Sequence, residues 1–307
     1  MDDLIVLNEV PQSQNMYMIA GWRQWADAGS TSSGLPHYLI KRLRARKIGE
    51  IKPDGFYLFQ IPGTHHLLRP VVKLQDGYRQ SLERKQNELY YWGDEERGLV
   101  IFLGDEPHIS VERYSQAFLA AAKKLNVKRI IGTGGVYGPV PYDREREVSC
   151  IYSLPALQDE LEQYGVRFSN YEGGASIGSV LVDQAEAAAA EMIVFYSFVP
   201  AYDFSRSTTS SLANGVSIEN DYKAWYDVIR RINHMFQLNL DLSDLQRRSN
   251  DLIAVMDAKI EELEQESPSL KIRDYLEQLD TAFTETLFTP LADFWDEELG
   301  DIFDDID

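Results

Sequence analysis

Cysteine occurs once in this chain of 307 residues, at Cys150, and histidine only five times. One cysteine excludes an intrachain disulfide. With no motif marking it as a nucleophile, Cys150 reads as a small core hydrophobe. His37, His65, His66, His108 and His234 show no His-x-x-His or His-Glu-x-x-His spacing, so no metal site is expected. His65-His66 follow Pro62-Gly63 and are expected in a loop. No uncharged apolar run reaches about 18 residues, which excludes a membrane-spanning helix. The opening Met-Asp-Asp-Leu lacks the basic and apolar parts of a signal peptide, so the expected location is cytoplasmic. Positive charge is also scarce: 30 Lys and Arg stand against 49 Asp and Glu, a net charge of −19. Such a chain repels phosphate backbones, which argues against nucleic acid as a partner. A Gly-x-Ser-x-Gly elbow, a P-loop and a Rossmann fingerprint are all missing, and no cofactor is implied.

What is present is enough apolar material for a sizeable core, at 44% hydrophobic and 11% aromatic. The negative charge is concentrated. Residues 251–307 carry 18 acidic against 3 basic side chains, a net of −15, leaving −4 for the first 250. The acidic tail reads as a solvated helical face. A docking surface for a basic partner is the sharper alternative.

The first 240 or so residues alternate between strand-like and helix-like segments. Strands are expected at Leu4–Val10, Tyr17–Ala20, Gly55–Gln60, Gly98–Gly104, Arg129–Thr133, Val148–Ser153 and Met192–Val199. Gly98–Gly104 is wholly apolar, as in a strand buried on both faces. Helices are expected at Thr31–Arg46, at Ser110–Leu125 with Ser110 as cap and Glu112 near the positive end, and at Leu154–Tyr164 before Gly165. Two more are expected, at Ile177–Ala190 and at Glu219–Phe236 with Trp225, Val228, Ile229 and Ile232 on one stripe. The alternation predicts an α/β fold with a mostly parallel sheet covered by helices on both faces. From about residue 242, apolar residues at three- and four-residue steps, interrupted at Ser267-Pro268, predict a helical hairpin. A last amphipathic piece begins at Pro290. The expected division is an α/β domain over 1–239 and an acidic helical extension over 240–307.

Three glycine-bearing segments follow apolar runs and read as strand-to-helix corners, where α/β folds bind ligands. The first, Gly21–Gly34, contains Gly21, Trp22, Asp27, Gly29 and a Ser30–Ser33 hydroxyl run suited to an anion near a helix start. Asp27 reads as a helix cap, with catalysis the minority alternative. The second, Gly132–Tyr142, contains Gly134, Gly135, Tyr137 and Pro141. It either lets the backbone approach a ligand closely or forms a tight crossover. Asp143–Glu147 then alternate in charge, read as a subunit-interface pairing set or as solvated. The third, Tyr171–Gly178, contains Glu172, Gly173, Gly174 and Ser176. Glu172 paired with Asp27 would do acid–base work if both reach one pocket.

These three segments in this order resemble the proteasome-assembly-chaperone (PAC) type family of archaea and bacteria. The residues are Gly21-Trp22 with Asp27-Ala28-Gly29, then Thr133-Gly134-Gly135-Val136 with Val140-Pro141, then Glu172-Gly173-Gly174 through Gly178. Phe198-Val199-Pro200-Ala201-Tyr202 forms a fourth block. The resemblance covers about residues 1–235 and implies a three-layer α/β/α sandwich like that of nucleoside phosphorylases and peptidyl hydrolases. It also implies homo-oligomers, often trimers, with no assigned activity in most bacterial members. Some members are described as ATP-grasp-type ligases, but no ATP-grasp loop or metal-binding carboxylate set stands here. Tyr142–Arg146 departs from the family's arginine-rich loop. The final Asp305-Ile306-Asp307 lacks the hydrophobic-Tyr-x ending by which some archaeal relatives dock onto the proteasome. The expected function is an oligomeric protein-binding module. The alternative is a small-molecule binder, hydrolase or ligase, acting on a nucleoside or other anionic metabolite at the glycine corners.

Overall fold

A computed structural model describes residues 2–60, 69–202 and 216–288. They divide into two compact units, each interrupted in sequence. The first unit takes residues 2–60, 69–136, 151–155 and 170–196. The second takes 137–150, 156–169, 197–202 and 216–288.

The chain enters through β1 (Ile5–Leu7), β2 (Asn15–Arg23), α1 (Gly34–Arg42) and β3 (Arg46–Ile51). The hairpin β4 (Val71–Gln75) and β5 (Tyr78–Glu83) follows, then β6 (Glu88–Gly93), β7 (Arg97–Asp105), α2 (Val111–Lys124) and β8 (Val127–Gly138). Next come β9 (Val148–Tyr152), α3 (Gln158–Leu161), β10 (Arg167–Phe168), α4 (Ile177–Ala187) and β11 (Glu191–Tyr202). The last described elements are β12 (Val216–Ser217), α5 (Tyr222–Phe236), α6 (Ser243–Glu266) and α7 (Ile272–Ala282).

In the first unit the sheet runs β1-β3-β6-β7-β2-β8-β11. Its centre is parallel: β2 pairs with β7 from Asn15↔Arg97 to Arg23↔Asp105, and with β8 through Ala20↔Gly132. The β1-β3-β6-β7 edge is antiparallel. The expected α/β sheet is therefore present as a mixed one. Side chains alternate across it. Met16, Met18, Ala20 and Trp22 share a face with Val100, Phe102 and Ile130, and pack with Tyr114 and Phe118 of α2 and Leu181 of α4. Ile19, Ile101 and Ile131 point the other way and are equally buried, on the side where Leu35 and Leu39 of α1 are sealed from solvent. Burial on both faces is why Gly98–Gly104 is apolar throughout.

Several expected elements differ. Gly55–Gln60 is not a strand: Pro53-Asp54-Gly55 makes a turn with Gly55 at φ 83°, and buried Phe56 packs edge-on against Tyr114. The helix expected to Arg46 ends at Arg42, because Arg44 turns left-handed (φ 51°) and the chain re-enters the sheet as β3. Ser110 precedes α2 with φ 56° and makes no side-chain cap bond, although Glu112 does lie in the first turn. Gly132–Gly138 is no corner at all but the second half of a twelve-residue strand.

In the second unit β9 and β10 run parallel, and the end of β11 pairs antiparallel with β12. The helical hairpin expected near Pro268 is present as α6 and α7, with α6 packed along α5. Trp225, Val228, Ile229 and Ile232 of α5 are buried as expected, and Gly165 closes its helix at φ 55°. The segment expected from Pro290, the pair His65-His66 and most of Tyr202–Gly215 lie outside the described residues. No helix among the described residues is long and apolar enough to cross a membrane.

In the charged run Asp143–Glu147, Asp143 and Arg144 are exposed, while Glu145, Arg146 and Glu147 are paired within the second unit. Arg146 is buried and gives Nε to Asp221 Oδ2 at 2.8 Å. Its Nη1 donates to the carbonyls of Pro141, Tyr142 and Arg144. Its backbone N–H donates to Asp227 Oδ2 at 2.8 Å. Asp221 is fully buried and also caps α5, accepting from the backbone of Lys223 and Ala224. Glu145 pairs with Arg230 at 2.8 Å and Arg231 at 2.7 Å. Tyr142 and Arg144 reach α6 and α7 through Asp257 and Asp280.

Removing one partner of a buried ion pair strands the other charge and costs about 3–5 kcal/mol. Asp221→Asn is expected to lose about that much in chemical denaturation. Arg247→Ala, which breaks only an exposed pair with Asp244, is expected to lose under about 1 kcal/mol.

Candidate functional site

In the first unit the carboxyl ends of β2, β7 and β8 share one edge of the sheet, the place where open α/β sheets bind ligands. Trp22, the last inward residue of β2, belongs to the scaffold below this edge. Its indole N–H donates to Tyr114 Oη at 2.9 Å, and Tyr114 donates to Asn87 Oδ1 at 3.1 Å, which also accepts from Tyr57. Phe102 and Phe118 hold the indole at 5.6 and 5.5 Å. Burial of a polar chain like this is favourable only when every member is satisfied.

Beyond Arg23 the backbone turns sharply. Gln24 (φ 103°), Ala26 (φ 51°) and Ser30 (φ 50°) are left-handed without being glycine, at about 1–3 kcal/mol each. Gly29 is left-handed at φ 60°. Fixed bonds hold this path. Gly135 N–H donates to Ala26 O at 2.8 Å, and Trp25 N–H donates to Glu106 Oε2 at 3.2 Å. Asp27 Oδ1 accepts from the backbone of Ser32 and Ser33, both at 2.9 Å, while Ser33 Oγ donates to Oδ2. Burial pushes the Asp27 carboxyl above its ordinary pKa, opposed by the Ser33 and Ser32 hydrogen bonds. Asp27 thus acts as the anchor of the turn into α1.

The glycines explain themselves by what lies beside them. A Cβ on Gly21 would stand 1.7 Å from Ser32 O, and one on Gly135 would stand 2.1 Å from Ala28 O. One on Gly134 would meet the Tyr196 ring at 2.5 Å. The close approach these glycines allow is taken by the chain's own loop and ring.

Across the crevice, Ser176 caps α4 by accepting from Ser179 N–H at 3.3 Å, and it bonds Tyr196 Oη at 2.7 Å. Ile177 N–H, at the first turn, donates to Glu106 Oε1 at 2.9 Å. Glu106 therefore clamps the Trp25 loop and the α4 start together, with its charge at the positive end of a helix. Burial raises its pKa, and the two backbone bonds oppose that rise. Neither Glu106 nor Tyr196 stands out in the sequence. The available signal is position: Glu106 directly follows the buried strand β7.

The crevice is lined by Trp22, Trp25, Ser32, Gly134, Ser176 and Tyr196 among others, with about 230 Å³ of space between atoms there, open solvent included. Room for the centre of a water molecule is only about 10 Å³, enough for one water, whereas ligand pockets run to about 300–1,000 Å³.

Gly21, Trp22, Asp27, Gly29, Gly134, Gly135 and Ser176 thus share this edge. Glu172, Gly173 and Gly174 are exposed in the approach to α4, and neither Glu172 nor Asp27 lines the crevice. Tyr137 and Pro141 belong to the second unit. Tyr137 Oη donates to Ile218 O at 3.4 Å, and Pro141 is buried against Arg146. Cys150 is buried, and its thiol is pushed up to about 12, which makes it inert. Among the described residues no group of three or more His, Cys, Asp or Glu is placed to hold a metal. Trp25, which lines the crevice, is 62% exposed, and Tyr171 and Val136 of the same unit are also exposed.

The family model described as PAC2 matches residues 22–260. A proteasome-assembly chaperone homologue from Mycobacterium tuberculosis is similar in structure, with a TM-score of 0.67 and 22% identity, over 79% of this chain and 94% of that one. A PAC2 family protein from Streptomyces avermitilis has a TM-score of 0.67 and 21% identity, over 85% and 99%. PbaA of Pyrococcus furiosus, an archaeal homologue of proteasome-assembly chaperone, has a TM-score of 0.52 and 20% identity, over 91% and 98%. No curated protein matches the chain.

Gly135→Ala is expected to cost about 1–3 kcal/mol through overpacking against Ala28, whereas Gly174→Ala, with nothing within 4 Å of its Cβ, stays within about 0.5 kcal/mol by urea denaturation. A second test concerns Glu106, whose folded pKa is raised. The native state then binds the proton more tightly than the unfolded one. Its contribution therefore becomes more favourable as pH falls through the raised pKa, and it is complete below the ordinary glutamate value of about 4.3. The wild-type minus Glu106→Gln stability difference should shift with pH in that sense. A difference that is flat with pH would contradict it.

Proposed function

The chain belongs to the PAC2 family, and on that premise we propose that it is a protein-binding module of the proteasome-assembly-chaperone type, working in the cytoplasm as a homo-oligomer. A trimer is the expected order. Residues 1–239 are the binding body and 240–307 an acidic helical appendage. The partner is a protein, captured on the carboxyl edge of the first unit's sheet.

One observation carries this reading: Trp25 presents a 62% exposed indole between two left-handed non-glycine residues, on a backbone fixed by Glu106 and Gly135. An aromatic side chain held outward at the cost of backbone strain is the kind of group that anchors an interface. Tyr171 and Val136 add apolar area in the same unit. The adjoining crevice has space for one water, so an extended macromolecular surface suits this edge better than a metabolite.

A second reading has its own support. Glu106, with its pKa raised by burial, sits beside the Ser176–Tyr196 pair, and perturbed carboxylates mark ligand sites. That reading requires the crevice to open. A nucleoside and anion panel in thermal shift tests it, because a ligand bound only by the native state raises the melting temperature.

The decisive comparison is capture of partners from host lysate by tagged full-length protein and by Trp25→Ala, read by quantitative mass spectrometry. A stoichiometric partner whose recovery falls at least tenfold in the variant, with unchanged circular dichroism, is the expected outcome. Equal recovery by both proteins, or recovery of the bait alone, would overturn the reading.

A further inference from the structure

The hairpin β4–β5 is a two-stranded sheet of its own, with a bulge between Lys73 and Leu74. Every residue of β4 is exposed. The apolar side chains fall on both faces of the ribbon, with Val71 and Val72 about half exposed, Leu74 61% and Tyr78 73% exposed. An isolated two-stranded ribbon is marginal in water, and clustered exposed apolar groups mark contact surfaces. Its charge is also the reverse of the molecule's. Residues 69–85 hold five basic side chains (Arg69, Lys73, Arg79, Arg84 and Lys85) against Asp76 and Glu83, a net of +3 in a chain of net −19. Arg79 and Arg84 are exposed.

A counterpart exists on the same chain. Helices α6 and α7 carry ten carboxylates against four basic residues. On α7, Asp274, Glu277, Gln278, Thr281 and Ala282 form one open helix face, and on α6 Val255 is 62% exposed. We propose that the β4–β5 arm of one copy seats on the acidic α6–α7 helices of a second copy, with Arg79 and Arg84 facing Asp274 and Glu277 of α7 and Leu74 and Tyr78 covering apolar helix surface. Opposite charges steer the encounter, and the apolar side chains supply the burial. The two surfaces are different, so the contact is heterologous and propagates from copy to copy into a ring or an open chain. The inference specifies how the self-association proposed above is built, and it does not depend on what binds at Trp25.

The test uses the full chain, whose single native cysteine is buried. Arg79→Cys and Glu277→Cys proteins are mixed under mild oxidation. The expected result is a disulfide-linked dimer in the mixture and in neither protein alone. In sedimentation, Arg79→Glu/Arg84→Glu should weaken self-association at least tenfold, and mixing with Asp274→Lys/Glu277→Lys should restore it. Raising salt from 0.1 to 1 M shortens the screening length from about 10 to about 3 Å and should also weaken association. Absence of the mixed cross-link, or association indifferent to charge reversal, would overturn the proposal. Should the charge-reversed protein fail to fold, the single surface cysteines decide. A self-associating protein without the mixed cross-link refutes the arm contact alone, and the Trp25→Ala comparison reads the partner surface separately.

Discussion

Backbone against backbone, with no side chain between, is the constraint on which the first unit turns. Ser32 O and Ala28 O occupy the places where Cβ atoms of Gly21 and Gly135 would be. Only that absence lets the loop after β2 lie on the ends of β2 and β8. Once it lies there, its path needs left-handed residues at Gln24, Ala26, Gly29 and Ser30, and Asp27 fixes its descent into α1. Glu106 ties the same loop to the start of α4. The crevice and the outward Trp25 follow from that packing.

The second unit is specified by charge. Loop 141–146 winds around the guanidinium of Arg146, which five polar partners satisfy, and Asp221 serves at once as its counter-ion and as the cap of α5. Arg231 plays a parallel role, donating to the carbonyls of Tyr164 and Gly165 and to Glu145, with the ring of Phe288 stacked above. Such arrangements add little net stability over apolar packing, yet they tolerate few alternatives, because each misplaced donor leaves a buried charge exposed to low dielectric.

What the sequence made legible follows the strength of its periodicity. The run Gly98–Gly104 and the stripe on α5 were readable because burial on both faces and burial on one helical face leave plain patterns. β3 and β6 are not legible in the sequence because they are only six residues each and antiparallel, and β3 opens on the adjacent charges Arg46-Lys47, even though Leu89 and Tyr91 alternate inward. The glycines of Gly132–Gly138 argued for a loop. They instead belong to a strand, because the residues that require them, Val194, Tyr196 and Ala28, are far away in sequence. Asp27 makes no cap bond, since Ser33 stands at the start of α1, and it holds the preceding turn instead by accepting from Ser32 and Ser33, whereas Glu172 faces solvent. Glu106 carried no motif, and its role exists only once β7 and α4 are brought together.

The order of strands has a consequence for synthesis. β2, which supplies Met16, Met18, Ile19 and Ala20 to the centre of the sheet, has its first partner in β7, with Asn15 opposite Arg97. Ribosomes make about 5–20 residues per second, so an apolar strand destined for the middle of the sheet waits about 4–16 seconds before its neighbour has been translated. The nascent chain therefore carries this apolar segment without its sheet neighbour through the early part of its own birth, a period in which an unpaired strand edge favours contact with other chains.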